Sequence, residues 1–152
     1  MRSAGIAGPS GMLHSTMTTA LSDSLKQHLD DEKVFATVAT ISPDGRPHLT
    51  VVWLKRDGDD IVFSTTVDRL QGRNILRDPR VTIGIIPPGN PYTYAEIRGT
   101  ATTTPDPTRA LPDELSRKYT GQDYAIGNPA AEDDHDRRII VRVTPDKVVS
   151  RI

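Results

Sequence analysis

The sequence has no cysteine among its 152 residues, which excludes disulfide bonds, thiolate catalysis and cysteine-bound zinc. It also lacks a strong net charge, because 19 basic and 20 acidic residues give a formal net charge of -1. There is thus no global field to attract nucleic acid or an anionic membrane, so any anion site must be local. No apolar run is long enough to span a bilayer, and the absence of cysteine fits a cytoplasmic location.

The motifs of several large enzyme classes are absent as well. The sequence contains no P-loop, no glycine-rich dinucleotide fingerprint and no Ser-His-Asp arrangement. His135 is flanked by Asp133, Asp134 and Asp136, but no second histidine stands at a ligand spacing, so we expect no metal site. Hydrolase and Rossmann-type functions are therefore excluded.

Glycine and proline are frequent, with 11 and 12 residues, whereas only 36% of the residues are apolar. This composition indicates a sheet protein with many turns and favours a face buried against another subunit. The length suits one domain. We expect residues 1–16 to be a disordered leader or an expression remnant, and residues 17–152 to form a single domain that starts at Met17.

Six segments have the β-branched pattern of strands and are separated by turn residues. They are 34–41, 47–55, 61–66, 81–86, 92–103 and 137–144. The first three are predicted to form a meander, and the fourth to be buried on both faces. Gly99 indicates a bulge, whereas Pro145 indicates a break. Helices are predicted at 20–29 and at 112–119, the second ended by Gly121, and residues 122–136 are expected to form a mobile loop. The pattern predicts a small β-barrel with helices at its ends.

An arginine-rich stretch follows the third predicted strand and runs from Asp68 to Arg80. Its arginines, at 69, 73 and 77, recur every fourth residue, so a helix would place them along one side, with Leu70, Ile75 and Leu76 toward the protein body. We expect Asp68 to cap this helix and Asp78-Pro79 to end it. Beside a strand end rich in hydroxyls, such a helix favours a phosphate or carboxylate site. The alternative is a solvated face whose arginines pair with the two aspartates.

Five pieces of the sequence, in this order and spacing, resemble a known family. They are Asp-Gly-Arg-Pro-His at 44–48, Trp53, Arg69 through Asn74 with residues 77–81, Asn-Pro-Tyr at 90–92, and Glu96 with Arg98 and Gly99. Together they resemble the split β-barrel family related to pyridoxamine 5′-phosphate oxidase, specifically its actinobacterial branch that uses the deazaflavin coenzyme F420. The resemblance implies a mostly β, six-stranded antiparallel split barrel and a homodimer whose two cofactor sites are shared between the subunits.

The resemblance also implies where the cofactor would lie, with its ring along the second and third strands and its phosphate just beyond the third. The positions that it assigns to the cofactor are Thr50, Val51, Val52, Trp53, Ser64, Thr65, Thr66, Arg69, Gln71, Arg73 and Asn74. Gln71 departs from the family pattern, which commonly has lysine there, so one charged contact to a phosphate is missing. His48, Tyr92 and Tyr94 are weaker candidates for a substrate pocket, since exposed or packed strand residues are the alternative.

The function implied by the resemblance is that of an F420-dependent oxidoreductase. It would transfer a hydride between reduced deazaflavin and a small unsaturated or carbonyl-type organic molecule, and no side chain need be catalytic because the cofactor carries the chemistry. An oxidase or reductase that uses FMN and a noncatalytic F420-binding protein remain alternatives, whereas the net charge disfavours nucleic-acid binding. We expect Arg69→Ala to weaken F420 binding and Gln71→Lys to strengthen it.

Overall fold

The structure, a computed structural model, describes residues 16–124 and 134–152. Within these ranges the chain forms one antiparallel sheet of eight strands and three helices. In chain order they are β1 Thr16–Thr18, α1 Asp23–Asp31, β2 Ala36–Ile41, β3 Pro47–Val52, β4 Lys55–Asp57, β5 Asp60–Thr66, α2 Leu70–Arg77, β6 Arg80–Ile85, β7 Ala95–Pro105, α3 Ala110–Thr120 and β8 Arg138–Ser150. The predicted leader, apart from Thr16, and most of the predicted loop at 122–136 lie outside the described residues.

The strands follow the order β3-β2-β6-β7-β8-β5-β4, and β1 pairs with β8. The predicted meander was wrong, because β5 pairs with β4 and β8 and, among the described residues, not with β3. The reason is local: Trp53 and Leu54 interrupt the strand predicted at 47–55, and Lys55–Asp57 then forms a tight hairpin with β5 around Gly58, whose φ is 63°. A gap therefore separates β3 from β5, and it splits the barrel.

The two longest strands, β7 and β8, cross the whole sheet with an irregularity at Gly99. Their register shifts between Arg98 and Gly99, so the predicted bulge is confirmed. A Cβ atom on Gly99 would lie 2.5 Å from the Thr144 carbonyl oxygen, so only glycine allows this approach. The predicted break at Pro145 was wrong, because β8 continues through it to Ser150; opposite a bulge, the missing N–H of proline costs little pairing.

β6 lies inside the sheet between β2 and β7, yet only one of its faces is buried. Val81, Ile83 and Ile85 are buried, whereas Gly84 is half-buried and Ile86, just beyond the strand, is exposed. The prediction that both faces are buried was therefore wrong. Low polarity in this segment has a second cause, an apolar surface on the outside of the sheet.

The main core fills the barrel, and α1 covers one end of it with Leu25 and Leu29. Ser22 caps this helix, because its hydroxyl accepts a hydrogen bond from the Leu25 N–H at 3.2 Å. A smaller cluster attaches α3 to the outside of the sheet. Its members are Val62, Leu111 and Leu115, with Trp53 and Ile140 packed against them. This second cluster places α3 beside the gap between β3 and β5.

The arginine-rich helix α2 is present, but two details of its prediction were wrong. Asp68 does not cap it: the N-cap is Arg69, without a side-chain capping bond, and the Asp68 carboxylate instead pairs with Arg137 at 3.2 Å. Leu76 is 54% exposed, because Gly72 and the amide side chains of Gln71 and Asn74 lie on the buried side of the helix instead. The predicted end at Asp78 is confirmed, because that residue is the C-cap.

Candidate functional site

A cleft of about 550 Å³ opens at the gap between β3 and β5. One wall is β3 and the residue after it, the floor is Ser64 of β5, and the other walls are the start of α2, the first half of α3 and the start of β8. The lining residues are His48, Thr50, Val51, Val52, Trp53, Ser64, Arg69, Leu70, Gln71, Pro112, Leu115, Tyr124 and Arg138. The volume falls in the range of small-molecule sites, roughly 300 to 1,000 Å³. The described lining contains two cations and no carboxylate, so it suits an anionic ligand.

The start of α2 supplies positive electrostatic potential to this cleft. Arg69 is exposed at the N-cap position, and no side chain caps the first turn, so the backbone N–H groups there retain their partial charge. Gly72 lets the helix lie directly on the end of β5, because a Cβ atom at this position would sit 1.9 Å from the Thr66 carbonyl oxygen. Both Arg69 and the helix start are thereby held beside Ser64.

Gln71 connects α2 to β3 inside the cleft. Its side-chain Nε2 donates a hydrogen bond to the Thr50 hydroxyl at 2.5 Å, and the residue is 5% exposed. A neutral donor therefore occupies the position where the family resemblance predicts a cation. The hydrogen bond also fixes the Thr50 hydroxyl, which lines the same cleft.

Trp53, the one tryptophan of the sequence, forms part of the apolar wall. Its ring stacks on Tyr119, with centroids 5.2 Å apart and planes 15° from parallel. The Tyr119 hydroxyl donates to the Val34 carbonyl at 2.5 Å and accepts from the Leu54 N–H at 3.2 Å. Burial raises the pKa of this hydroxyl, so it stays protonated at neutral pH. Tyr119 thus fixes the ring plane of Trp53 in the cleft wall.

Arg138 enters the cleft from β8 and is almost completely buried. Its Nη1 donates to the Ser64 hydroxyl at 3.3 Å, and its Nη2 contacts Asp134 Oδ2 at 2.5 Å and the Tyr124 hydroxyl at 3.3 Å. Asp134 also pairs with the buried Arg109 at 3.4 Å. The sequence left two roles open for Arg138, closing over a cofactor tail or anchoring the last strand to acidic neighbours, and the structure shows it both lining the cleft and paired with Asp134.

Eight of the predicted site residues line the cleft. They are His48, Thr50, Val51, Val52, Trp53, Ser64, Arg69 and Gln71. Besides Arg138, the remaining lining residues are Leu70, Pro112, Leu115 and Tyr124, which the sequence did not indicate. The contribution of α3 had no sequence signal, because it depends on how that helix packs against the sheet.

The other six predicted residues lie outside the cleft lining. The Thr65 and Thr66 hydroxyls are buried without a hydrogen-bond partner in the described structure, and Asn74 donates to the Thr40 hydroxyl at 3.1 Å. Arg73 folds back to donate to the Asp68 carbonyl. Tyr92 is 78% exposed, and Tyr94 lies under the guanidinium of Arg151. Their predicted ligand contacts therefore receive no geometric support from the chain as it stands.

The described residues carry neither a metal-binding cluster nor a membrane-spanning helix. No group of three or more His, Asp or Glu side chains there could hold a metal ion. Within the same residues, every helix is too short or too polar to cross a membrane.

Comparisons with known proteins agree with this fold. A family model described as pyridoxamine 5′-phosphate oxidase matches residues 21–151. A solved structure named F420 reductase is 32% identical, covers 83% of this chain and 96% of its own, and has a TM-score of 0.70. A conserved hypothetical protein from Mycobacterium tuberculosis is 23% identical over 87% of this chain and 86% of its own, with a TM-score of 0.67. HutZ, the heme storage protein of Vibrio cholerae, is 13% identical over 86% and 94% respectively, with a TM-score of 0.62. The last two similarities concern the fold alone, because both identities are below 25%. A comparison with curated proteins gives no match.

Proposed function

This chain belongs to the pyridoxamine 5′-phosphate oxidase family, and on that premise we propose that it is an F420-dependent oxidoreductase. Its substrate would be a small unsaturated or carbonyl-type organic molecule. The 32% identity to a protein named F420 reductase supports the choice of cofactor within the family. Bound deazaflavin would supply the hydride, while the protein binds, orients and excludes water.

The observation that carries the proposal is the division of the cleft into a cationic part and an apolar part. The cationic part contains Arg69 beside the uncapped start of α2 and the Ser64 hydroxyl, which suit a phosphate. The apolar part contains Val52 and Trp53, which suit a planar ring. A cofactor with an anionic tail and a flat head therefore fits the donors and surfaces that this chain presents.

The side chains of the cleft would position the reactants rather than react. Trp53 is held by Tyr119, and Thr50 by Gln71, so the wall facing the ring is fixed before binding. His48 lines the same cleft and is the imidazole available to pass a proton to the substrate or to polarise its carbonyl. Because solvent can supply the same proton, no side chain need be strictly catalytic.

A homodimer completes the proposal, because the outside of β2, β3 and β6 carries an apolar surface. Phe35, Leu49, Val51 and Ile86 are each 62% to 68% exposed. The register pairs Thr37 with both Val51 and Gly84, so these side chains project from one face of the sheet. Such a surface on a small protein favours a protein interface. Val51 also lines the cleft, so a second copy seated on this face would reach the ligand.

FMN is the second candidate for the cofactor, and Gln71 is the observation that favours it. A neutral amide in the cleft removes one charged contact from the site, which weakens the case for a ligand as anionic as F420. The two cofactors share a planar ring and a phosphate, so the cleft geometry suits either.

Turnover tests the proposal directly. Purified protein is mixed with chemically reduced F420 and a panel of small enones, quinones and aldehydes, and reoxidation of the cofactor is followed by absorbance. We expect reoxidation that depends on the protein with at least one class of substrate. The rate of reoxidation should be lower in the Arg69→Ala variant. Tight F420 binding without turnover on any class would contradict the enzyme and favour a cofactor-binding protein.

A further inference from the structure

Three aromatic rings meet at one end of the β2–β3 ladder. Ala36 and Val52 form the last pair of that ladder, so Phe35, which precedes β2, and Trp53, which follows β3, flank the same end. Tyr119 of α3 contacts both rings. It stacks on Trp53 at 5.2 Å and meets Phe35 edge to face, with centroids 5.7 Å apart and planes 66° from parallel. The three side chains therefore form one packed group.

The Tyr119 hydroxyl connects the same two places through the backbone. It donates to the Val34 carbonyl at 2.5 Å and accepts from the Leu54 N–H at 3.2 Å. Val34 directly precedes Phe35 in the chain. Leu54 directly follows Trp53. Tyr119 thus holds each aromatic neighbour both by its ring and by its hydroxyl, so a displacement of one neighbour is passed to the other through close-packed and hydrogen-bonded atoms.

The two ends of this aromatic group have different surroundings. Trp53 lines the cleft, whereas Phe35 is 62% exposed and belongs to the apolar face of β2, β3 and β6. A phenylalanine with so much of its side chain in water has several rotamers open to it, and only some of them keep its ring on Tyr119. Covering the apolar face would remove the other rotamers and hold the Phe35 ring against Tyr119.

We propose that Phe35 and Tyr119 are positioning residues for Trp53, so that a second copy of the chain on the apolar face sets the shape of the cleft. The effect is reciprocal, because a ligand that packs on Trp53 must strengthen the association of the two copies by the same factor. The second copy as occupant rests on the homodimer proposed above. The link from Phe35 to Trp53 does not, since all of its contacts lie within one chain.

The link is tested first without a ligand. Trp53 is the one tryptophan of the sequence, so selectively excited tryptophan fluorescence reports this position alone. Acrylamide quenching of that fluorescence measures how accessible and mobile the ring is. We expect Phe35→Leu, which removes the ring but stays apolar, to raise the quenching constant. Phe35→Tyr keeps the ring and should restore the wild-type value, and Leu76→Ala, at an exposed leucine of α2, should leave it unchanged.

A double-mutant cycle tests whether Tyr119 carries the effect. In a Tyr119→Leu background, Phe35→Leu should not change the quenching constant further, because the intermediate ring is gone. An additive effect would overturn the positioning role of Tyr119. Wild-type quenching in the single variant Phe35→Leu would overturn the whole link. That result is decisive even if Tyr119→Leu fails to fold, since Phe35 is largely exposed and its own substitution leaves the core intact.

The second arm measures the coupling between the apolar face and the cleft. Sedimentation equilibrium gives the dimer dissociation constant with and without saturating F420 or FMN. We expect the cofactor to tighten the wild-type dimer about fivefold or more, and Phe35→Leu to lower that factor. A factor that Phe35→Leu leaves unchanged would overturn the coupling.

Failure of this inference and failure of the proposed function give different results. If neither cofactor binds the wild-type protein while the quenching constant responds as expected, the positioning of Trp53 stands and the proposed function fails. A wild-type protein that stays monomeric at every concentration would overturn the second copy as the occupant of the apolar face.

Discussion

At the scale of single residues, Arg69, Arg73 and Arg77 share one spacing but have different surroundings. Arg69 lines the cleft, whereas Arg73 donates to the Asp68 carbonyl and Arg77 to the Ile41 carbonyl. Arg77 therefore ties α2 to β2, whereas Arg73 closes the start of its own helix. Periodicity predicted the row correctly, but it could not show which guanidinium would find a backbone acceptor.

We predict that Arg69→Ala weakens F420 binding by about tenfold or more, because a charge-assisted contact contributes roughly 1.5 to 3 kcal/mol. Arg73→Ala is the control on the same helix and should leave the dissociation constant within about twofold. Fluorescence titration measures both. An equal loss in the two variants would mean that the helix acts through its overall charge, not through a contact in the cleft.

Gln71→Lys is predicted to strengthen binding of a phosphorylated cofactor. A lysine ammonium can also donate to the Thr50 hydroxyl, and it would add a positive charge to the cleft. Gln71→Met keeps a similar length without a donor and should weaken binding or leave it unchanged. Calorimetric dissociation constants for the three proteins test this. Weaker binding in the lysine variant would place the phosphate away from residue 71.

At the scale of elements, the helices could be predicted well because their signals are local. Leu25 and Leu29 define the buried face of α1, and Gly121, with φ of 81°, ends α3 in the left-handed conformation expected of a C-cap glycine. The start of α3 was predicted two residues late, since its cap comes from Asp106 across a left-handed Arg109. That geometry has no sequence signature.

Gly72→Ala should destabilise the junction of β5 and α2, although alanine has a higher helix propensity than glycine. The added Cβ would lie 1.9 Å from the Thr66 carbonyl oxygen, a backbone atom that cannot move aside without shifting β5. We expect a loss of about 1 to 3 kcal/mol in the free energy of unfolding, as for other overpacked sites. Urea denaturation measures it.

The control for this prediction is Leu76→Ala on the exposed side of the same helix. Its unfolding free energy should change by about 0.5 kcal/mol or less. If Gly72→Ala were as stable as this control, α2 would have to sit further from β5 than the structure places it, and the cleft would be wider.

At the scale of the whole molecule, the six predicted strands are present, and so is the mostly β barrel. Their pairing was harder to predict. The alternation of apolar and polar residues identifies a strand and its buried face, but it does not identify the neighbouring strand. The predicted meander pairs β5 with β3, whereas in the structure β5 pairs with the short strand β4. The cleft exists because β3 and β5 do not pair in the described structure, so its α3 wall could not be predicted from the sequence. The family resemblance, which carries the topology with it, located eight of its residues.

Leu49→Asp is predicted to convert a dimer into a monomer. Leu49 is exposed on the apolar face of β3 but does not line the cleft, so the substitution places a charge in the proposed interface without touching the ligand directly. Sedimentation analysis would show the halved mass, and F420 affinity should fall because the partner completes the site. The control is Leu76→Asp, which places the same charge on an exposed leucine of α2 rather than on β3. A wild-type monomer would contradict the shared site.

The most direct test of the central claim is an equilibrium titration of the purified protein with oxidised F420 and, separately, with FMN. Both ligands fluoresce, and Trp53 in the cleft wall supplies an independent signal from the protein. We predict saturable binding of F420 with one site per chain, quenching of Trp53, and much weaker binding of FMN. Absence of saturable F420 binding, or binding that leaves Trp53 unchanged, would contradict the assignment of this cleft as a deazaflavin site.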